Sequence, residues 1–91
     1  MPVKVLIERH VKEGKEADLV ELLKKLRAEL STQPGYVSGE LLQNLDDRST
    51  IFAVSTWLSV PQWKCWQNNP KRLEIISQIE LLLTEPPKVT I

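Results

Sequence analysis

Residues 3–32 read VKVLIERHVKEGKEADLVELLKKLRAELST, and their hydrophobic period changes once. In 3–11, Val3, Val5, Ile7 and Val11 share one parity with Arg9, while Lys4, Leu6, Glu8 and His10 take the other. A two-residue period built on β-branched side chains predicts a strand. From residue 15 the apolar positions are Leu19, Leu22, Leu23, Leu26 and Leu30, the spacing of one helix face. Glu16 and Asp18 near its start and Lys24, Lys25 and Arg27 further on suit the helix dipole. Glu21 and Lys25 add a supportive pair four residues apart. Gly14 is expected as the N-cap and Pro34-Gly35 as the stop.

The rest of the chain extends this β-α opening. Residues 36–45 and 50–57 read as a hairpin around Asp46-Asp47-Arg48. Val37, Leu41 and Leu45 are assigned to one face of its first strand, with Tyr36, Ser38, Glu40 and Asn44 opposite; Phe52 and Val54 oppose Ile51, Ala53 and Trp57 on the second. Ser59-Val60-Pro61-Gln62 fits a capping box in which each side chain meets a backbone donor. A short helix with Trp63 and Trp66 follows, interrupted by Asn68-Asn69-Pro70, and Pro70 suits the opening of a new helix. Leu73, Ile76, Ile79 and Leu83 are its expected stripe, Pro86-Pro87 its end, and 88–91 a short edge strand. The order is β-α-β-β-α-β with the second helix broken. Right-handed crossovers then predict an α+β, ferredoxin-like sandwich, with an antiparallel four-stranded sheet and both helices on one face. Leu, Trp or Phe side chains would line the opposite face with nothing in the chain to cover them. Pairing with a second copy, as a homodimer closing a dimeric α/β barrel, is the simplest cover.

Composition bounds the function. Ninety-one residues, residues 1–91, suit a single domain. Twelve basic side chains balance twelve acidic ones, which disfavours a nucleic-acid binder relying on a basic field. One cysteine, Cys65, and one histidine, His10, exclude an internal disulfide, a cysteine cage or a histidine-rich metal site within the chain. No apolar run approaches the roughly 18–20 residues of a membrane span. The first residues reach charge too early for a signal peptide, so a cytoplasmic address is expected.

Three stretches carry a resemblance. Gly35-Tyr36-Val37-Ser38-Gly39-Glu40 follows the first helix, Ser55-Thr56-Trp57 ends a strand, and Trp63-Lys64-Cys65-Trp66-Gln67-Asn68 forms a tryptophan-rich short helix. In that order and spacing the chain resembles the antibiotic biosynthesis monooxygenase (ABM) family over essentially its whole length. The resemblance implies a dimeric α/β barrel. It also implies one of several activities: cofactor-independent oxidation of phenols to quinones, quinol handling, or haem degradation. The haem-degrading branch uses an Asn, a Trp and a His, and the matching positions here are Ile7, Trp66 and Ile76. Ile76 has no lone pair for iron, so haem degradation is not expected.

What remains needs no cofactor and no metal. An electron-rich phenol, once deprotonated, passes an electron to O₂ if the protein excludes water and stabilises the developing charge. Trp66 and Arg9 are the candidate catalytic residues: an indole N–H donates, and a guanidinium stabilises an anion. Ile7, Trp63, Arg72 and Ile76 are the candidate substrate-binding residues around an apolar pocket for a small aromatic or apolar ligand. Each has a plainer role. Trp63 and Trp66, three apart on an amphipathic helix, suit core packing. Arg9 suits a snorkelling or salt-bridged strand position and Arg72 a solvated helix position. His10 lies on the opposite parity from Arg9, and Tyr36 and Glu40 are expected to share a strand face. The alternative function is a non-catalytic dimeric barrel that binds an apolar ligand or a partner protein. RNA binding would need exposed aromatics with basic residues on the central strands, a heavy-metal domain paired cysteines, and an acylphosphatase a glycine-rich loop where Lys12-Glu13-Gly14-Lys15 stands.

Overall fold

The alternation in the first strand organises the whole sheet. The computed structural model describes residues 1–91 as β1 (Val3–His10), α1 (Glu16–Leu30), β2 (Tyr36–Gln43), β3 (Thr50–Trp57), α2 (Val60–Gln67), α3 (Pro70–Glu80) and β4 (Lys88–Thr90). The strands form one sheet in the order β2-β3-β1-β4, and every pairing is antiparallel. Val5 faces Ser55, Ile7 faces Ala53 and Arg9 faces Ile51 across β1 and β3. These odd positions point at the helices, where Val5, Leu19, Leu23, Trp57, Trp63, Trp66 and Ile79 make the core. The expected α+β, ferredoxin-like architecture is the one observed.

Local chemistry moves several boundaries. The α1 N-cap is Lys15, without a side-chain cap, and Gly14 one residue earlier turns the chain at φ +80°. The helix ends at Leu30, four residues ahead of Pro34. There Ser31 Oγ and Thr32 Oγ1 donate to the carbonyls of Ala28 and Glu29, competing with the backbone ladder. Gly35 then takes φ +85° and its amide plane turns to bond Leu58 N. A bulge between Tyr36 and Ser38 resets the parity of β2: Tyr36 lies opposite Trp57 on the helix side with Leu41, while Val37 is exposed. Tyr36 and Glu40 therefore do not share a face, and Leu45 sits exposed in the hairpin loop. That loop is set by Asn44 Oδ1, which accepts from the amides of Asp46 and Asp47, and by Asp47 Oδ1, which accepts from Ser49 N.

The second half shows the same kind of adjustment. Ser59 Oγ accepts from Gln62 N at 3.4 Å and donates to Gln62 Oε1 at 2.9 Å, so the Gln side chain binds the Ser hydroxyl rather than a backbone donor. Asn69 Oδ1 accepts from Lys71 N at 2.9 Å and caps α3 ahead of Pro70. The inward stripe of α3 is Arg72, Ile75, Ile76 and Ile79, and Leu73 is exposed, contrary to the hydropathy pattern. Nor does α3 reach Pro86-Pro87. Lys12 N bonds Leu82 O and Thr84 N bonds His10 O, pulling the chain out of the helix and alongside the end of β1.

The even face of the sheet carries no helix. Leu6 and Leu42 are 38% and 47% exposed there, beside half-buried Phe52 and Val54, with Lys4, Glu8 and Glu40 on the same face. No tryptophan lies on it, because Trp57 has the odd parity of β3 and is fully buried.

The two left-handed glycines predict a measurable contrast. A Cβ at Gly35 would meet the Gln62 side chain at 2.4 Å, whereas one at Gly14 meets nothing within 4 Å. In urea unfolding, Gly14→Ala is expected to cost about 1 kcal/mol for the backbone conformation alone. Gly35→Ala is expected to cost about 1–3 kcal/mol because a clash is added. Equal losses would contradict the close packing of Gln62 on Gly35.

Candidate functional site

The odd face of the sheet does not pack solidly against the helices. Between β1, β2, β3, α1 and the tryptophan-bearing α2 lies a cavity of about 60 Å³, lined mostly by apolar side chains. Of the residues singled out from the sequence, Ile7, Arg9, Trp63, Trp66 and Arg72 line it. Ile76 does not. It shares Arg72's side of α3 but lies four residues on, about 6 Å further along the axis, and packs half-buried against the core. Tyr36 and Arg27 also line the cavity. Tyr36 was hidden by the bulge, which pairing alone reveals. Arg27 was accounted for by the helix dipole, and its Nη2 donates to Gly39 O at 2.9 Å.

Tyr36 and Trp63 of the cavity wall are joined by edge contacts through Trp57, which lies behind them and does not line the cavity. Tyr36 meets Trp57 at 5.6 Å and 71°, and Trp57 meets Trp63 at 5.8 Å and 63°. Trp57 Nε1 donates to Ser55 Oγ at 3.0 Å. Trp63 Nε1 is buried without a partner.

The electrostatics are one-signed. Arg9 is 2% exposed, and its Nε has no hydrogen-bond partner. Burial, and then the neighbouring Arg72 charge, push its guanidinium down to about 10, which leaves it charged at neutral pH. Arg72 is 8% exposed, not solvated as its place at a helix start suggested. Its guanidinium carbon lies 5.5 Å from the Trp63 ring centre and its Nη1 donates to Gln67 O at 3.1 Å. Burial lowers its pKa as well. The ion pairs of the structure join lysines and His10 to carboxylates, and none includes an arginine. Arg9 is therefore not the salt-bridged strand residue of the plainer reading. An isolated buried charge is costly unless something complements it.

His10 and its acidic neighbours lie elsewhere. His10 Nε2 is 2.7 Å from Glu8 Oε2 and 3.5 Å from Glu85 Oε1, and Nδ1 is 3.1 Å from Thr50 Oγ1. Thr50 in turn donates to Asp47, whose carboxyl is held below its usual range by the Ser49 and Thr50 hydroxyls. This cluster closes the end of β1 and does not line the cavity. Cys65 is exposed. No three His, Cys, Asp or Glu side chains are grouped to hold a metal ion, and no helix is long and apolar enough to cross a membrane.

A four-stranded sheet with its helices on one side, and an aromatic-walled cavity between them, define a class, and the comparisons agree. Residues 2–78 match the antibiotic biosynthesis monooxygenase family, and the chain belongs to it. Protein SchA of Streptomyces halstedii is 24% identical over 78 residues, covering 86% of this chain and 20% of that protein. A 42.8 kDa protein in the whiE locus of Streptomyces coelicolor is 23% identical over 77 residues, covering 85% of this chain and 19% of that protein. The chain thus spans about a fifth of the length of these curated relatives. Among solved structures, a conserved protein from Methanosarcina mazei Go1 superposes with TM-score 0.93 at 17% identity, over 99% of this chain and 89% of that one. SnoaB from Streptomyces nogalater, a cofactor-independent oxygenase, superposes with TM-score 0.82 at 18% identity, over 97% and 90%. Rv0793 from Mycobacterium tuberculosis superposes with TM-score 0.89 at 22% identity, over 99% and 91%. At these identities the structural matches establish a shared fold.

Proposed function

We propose that this protein oxidises a small phenol or quinol with O₂, without a cofactor, in the cavity between sheet and helices. The observation that carries the reading is the unpaired Arg9 guanidinium in an apolar cavity walled by Trp63 and Trp66. Family membership and the likeness to SnoaB support this chemistry. Ile7, Trp63, Trp66 and Arg72 hold the ring and exclude water. Arg9 favours the phenolate, so the phenol gives its proton to bulk water as the ring enters, before water is excluded and without a carboxylate base, and the same charge steadies reduced oxygen. For a phenol, the ring loses its O–H and one C–H hydrogen, one oxygen atom joins the ring as the quinone carbonyl, and the other leaves as water. For a quinol, two electrons and two protons pass to O₂, giving quinone and hydrogen peroxide.

The proposal includes a second copy of the chain over the even face of the sheet and a cytoplasmic setting, in which exposed Cys65 stays a thiol. Light scattering should give twice the 10.5 kDa chain mass. Phe52→Asp should return a monomer, because a charge then sits in the middle of the apolar patch. A wild-type monomer at micromolar concentration would remove the dimer.

An oxygen electrode tests the activity. Trp66→Phe is expected to lower turnover about tenfold, the worth of one hydrogen bond or its packing. Arg9→Ala is expected to lower it further, with the dimer mass unchanged in both. Unchanged rates in both variants would remove these residues from the reaction. Specific uptake of an aromatic ligand without any O₂ consumption would leave the non-catalytic binding barrel in its place.

A further inference from the structure

The cavity is charged before any substrate arrives. Three guanidiniums border it, those of Arg9, Arg27 and Arg72, and none has a carboxylate within ion-pair distance. Arg27 and Arg72 each hold a backbone carbonyl, of Gly39 and Gln67. Arg9 Nε holds nothing, and it is the most deeply buried of the three. The one glutamate at the cavity, Glu40, pairs with Val54 in the parity of the opposite face and is exposed.

We infer that the cavity takes an aromatic substrate bearing a carboxylate, with the carboxylate on Nε–H and one Nη–H of Arg9 and the remaining N–H groups of that guanidinium left to the phenolate. This rests on the reading of the cavity as the substrate site, and it adds the class of substrate. A neutral phenol would have to ionise before it neutralised anything, whereas a carboxylate arrives ionised. A carboxylate is planar and accepts two parallel N–H bonds from one guanidinium, which suits a site with a single uncommitted fork. A phosphate dianion asks for more donors than one free guanidinium supplies, in a space of about 60 Å³. An aromatic ring needs more room than that, since a cavity of roughly 150 Å³ takes up benzene. The ring therefore displaces part of the Trp66 or Tyr36 wall as it enters.

Benzoate and benzamide have nearly the same shape and differ in charge. In NMR titrations of the wild-type protein at neutral pH, benzoate is expected to bind at least about tenfold more tightly than benzamide, the worth of one charge-assisted hydrogen bond. It is also expected to shift the Arg9 Nε–H resonance. In Arg9→Met the benzoate affinity should fall by about 10–100-fold while benzamide changes little. Benzamide binding as tightly as benzoate to the wild type, or no binding of either at millimolar concentration, overturns the inference without recourse to any variant. Its failure is separable from that of the oxygenase reading. Preferential benzoate binding with no O₂ uptake on hydroxyaryl acids defeats the oxygenase and leaves the anion site. Equal kcat/KM for neutral phenols and hydroxyaryl acids defeats the anion site and leaves the oxygenase.

Discussion

Arg9→Met is expected to make the protein more stable and nearly inactive. The buried, unpartnered guanidinium lies on β1 between Ile7 and Val11, with Arg72 as its charged neighbour. Methionine is unbranched, fills similar space and carries no charge to desolvate. The depression of the Arg9 pKa to about 10 corresponds to roughly 3 kcal/mol held against folding, at 1.36 kcal/mol per pH unit. A gain of about 1–3 kcal/mol in urea unfolding is therefore expected, because some of that cost returns as imperfect packing. The gain depends on pH in a defined way. Below about pH 10 both folded and unfolded chains hold Arg9 charged, and the full penalty is present. Above it the folded chain releases the proton while the unfolded chain keeps it, so wild type closes on the variant as pH rises. Turnover should fall by about 10²–10³, the usual loss when a donor facing a developing oxyanion is removed. A destabilised Arg9→Met protein would mean that Arg9 is held by partners the geometry does not include.

Trp57→Ala carries the largest expected loss of stability. Trp57 is fully buried on β3, meets Tyr36 and Trp63 edge-on, and donates to Ser55 Oγ. Truncation removes the ring that supports Tyr36 and Trp63 from behind and should cost about 3–5 kcal/mol. A 91-residue chain has on the order of 5–14 kcal/mol in all. The midpoint in urea should fall steeply, and the cavity should lose its form together with the fold. Trp57→Phe keeps most of the ring area but leaves the Ser55 hydroxyl without its donor, so about 1–3 kcal/mol is expected. If Trp57→Ala unfolded at the wild-type midpoint, the aromatic chain would not be the core of this protein.

How far residues alone reach is shown by β1 and α3. On β1 the alternation was enough to put Arg9 on the face of Val5 and Ile7, because parity does not depend on partners, and the structure turns that face to the helices. On α3 hydropathy selected Leu73 and passed over Arg72. The structure reverses them, because the Trp63 face and the Gln67 carbonyl give the guanidinium a buried place that no hydropathy scale contains. The bulge at Val37 was equally out of reach. One extra residue changes the parity of Tyr36 but leaves no mark on composition, so only its pairing with β3 brings Tyr36 to the cavity. The helix ends follow the same rule. Ser31 and Thr32 stop α1 through bonds of their own, ahead of the Pro-Gly pair that looked like the signal.

Product oxygen labelling tests the central claim most directly. Purified, chelator-treated protein is given a one- or two-ring phenol under isotopically heavy O₂, and the quinone is analysed by mass spectrometry. The account predicts one heavy oxygen atom in each quinone formed, the second in water, and a rate that collapses in Arg9→Met. A quinone free of heavy oxygen, or no phenol consumed beyond the protein-free control across the panel, would contradict it.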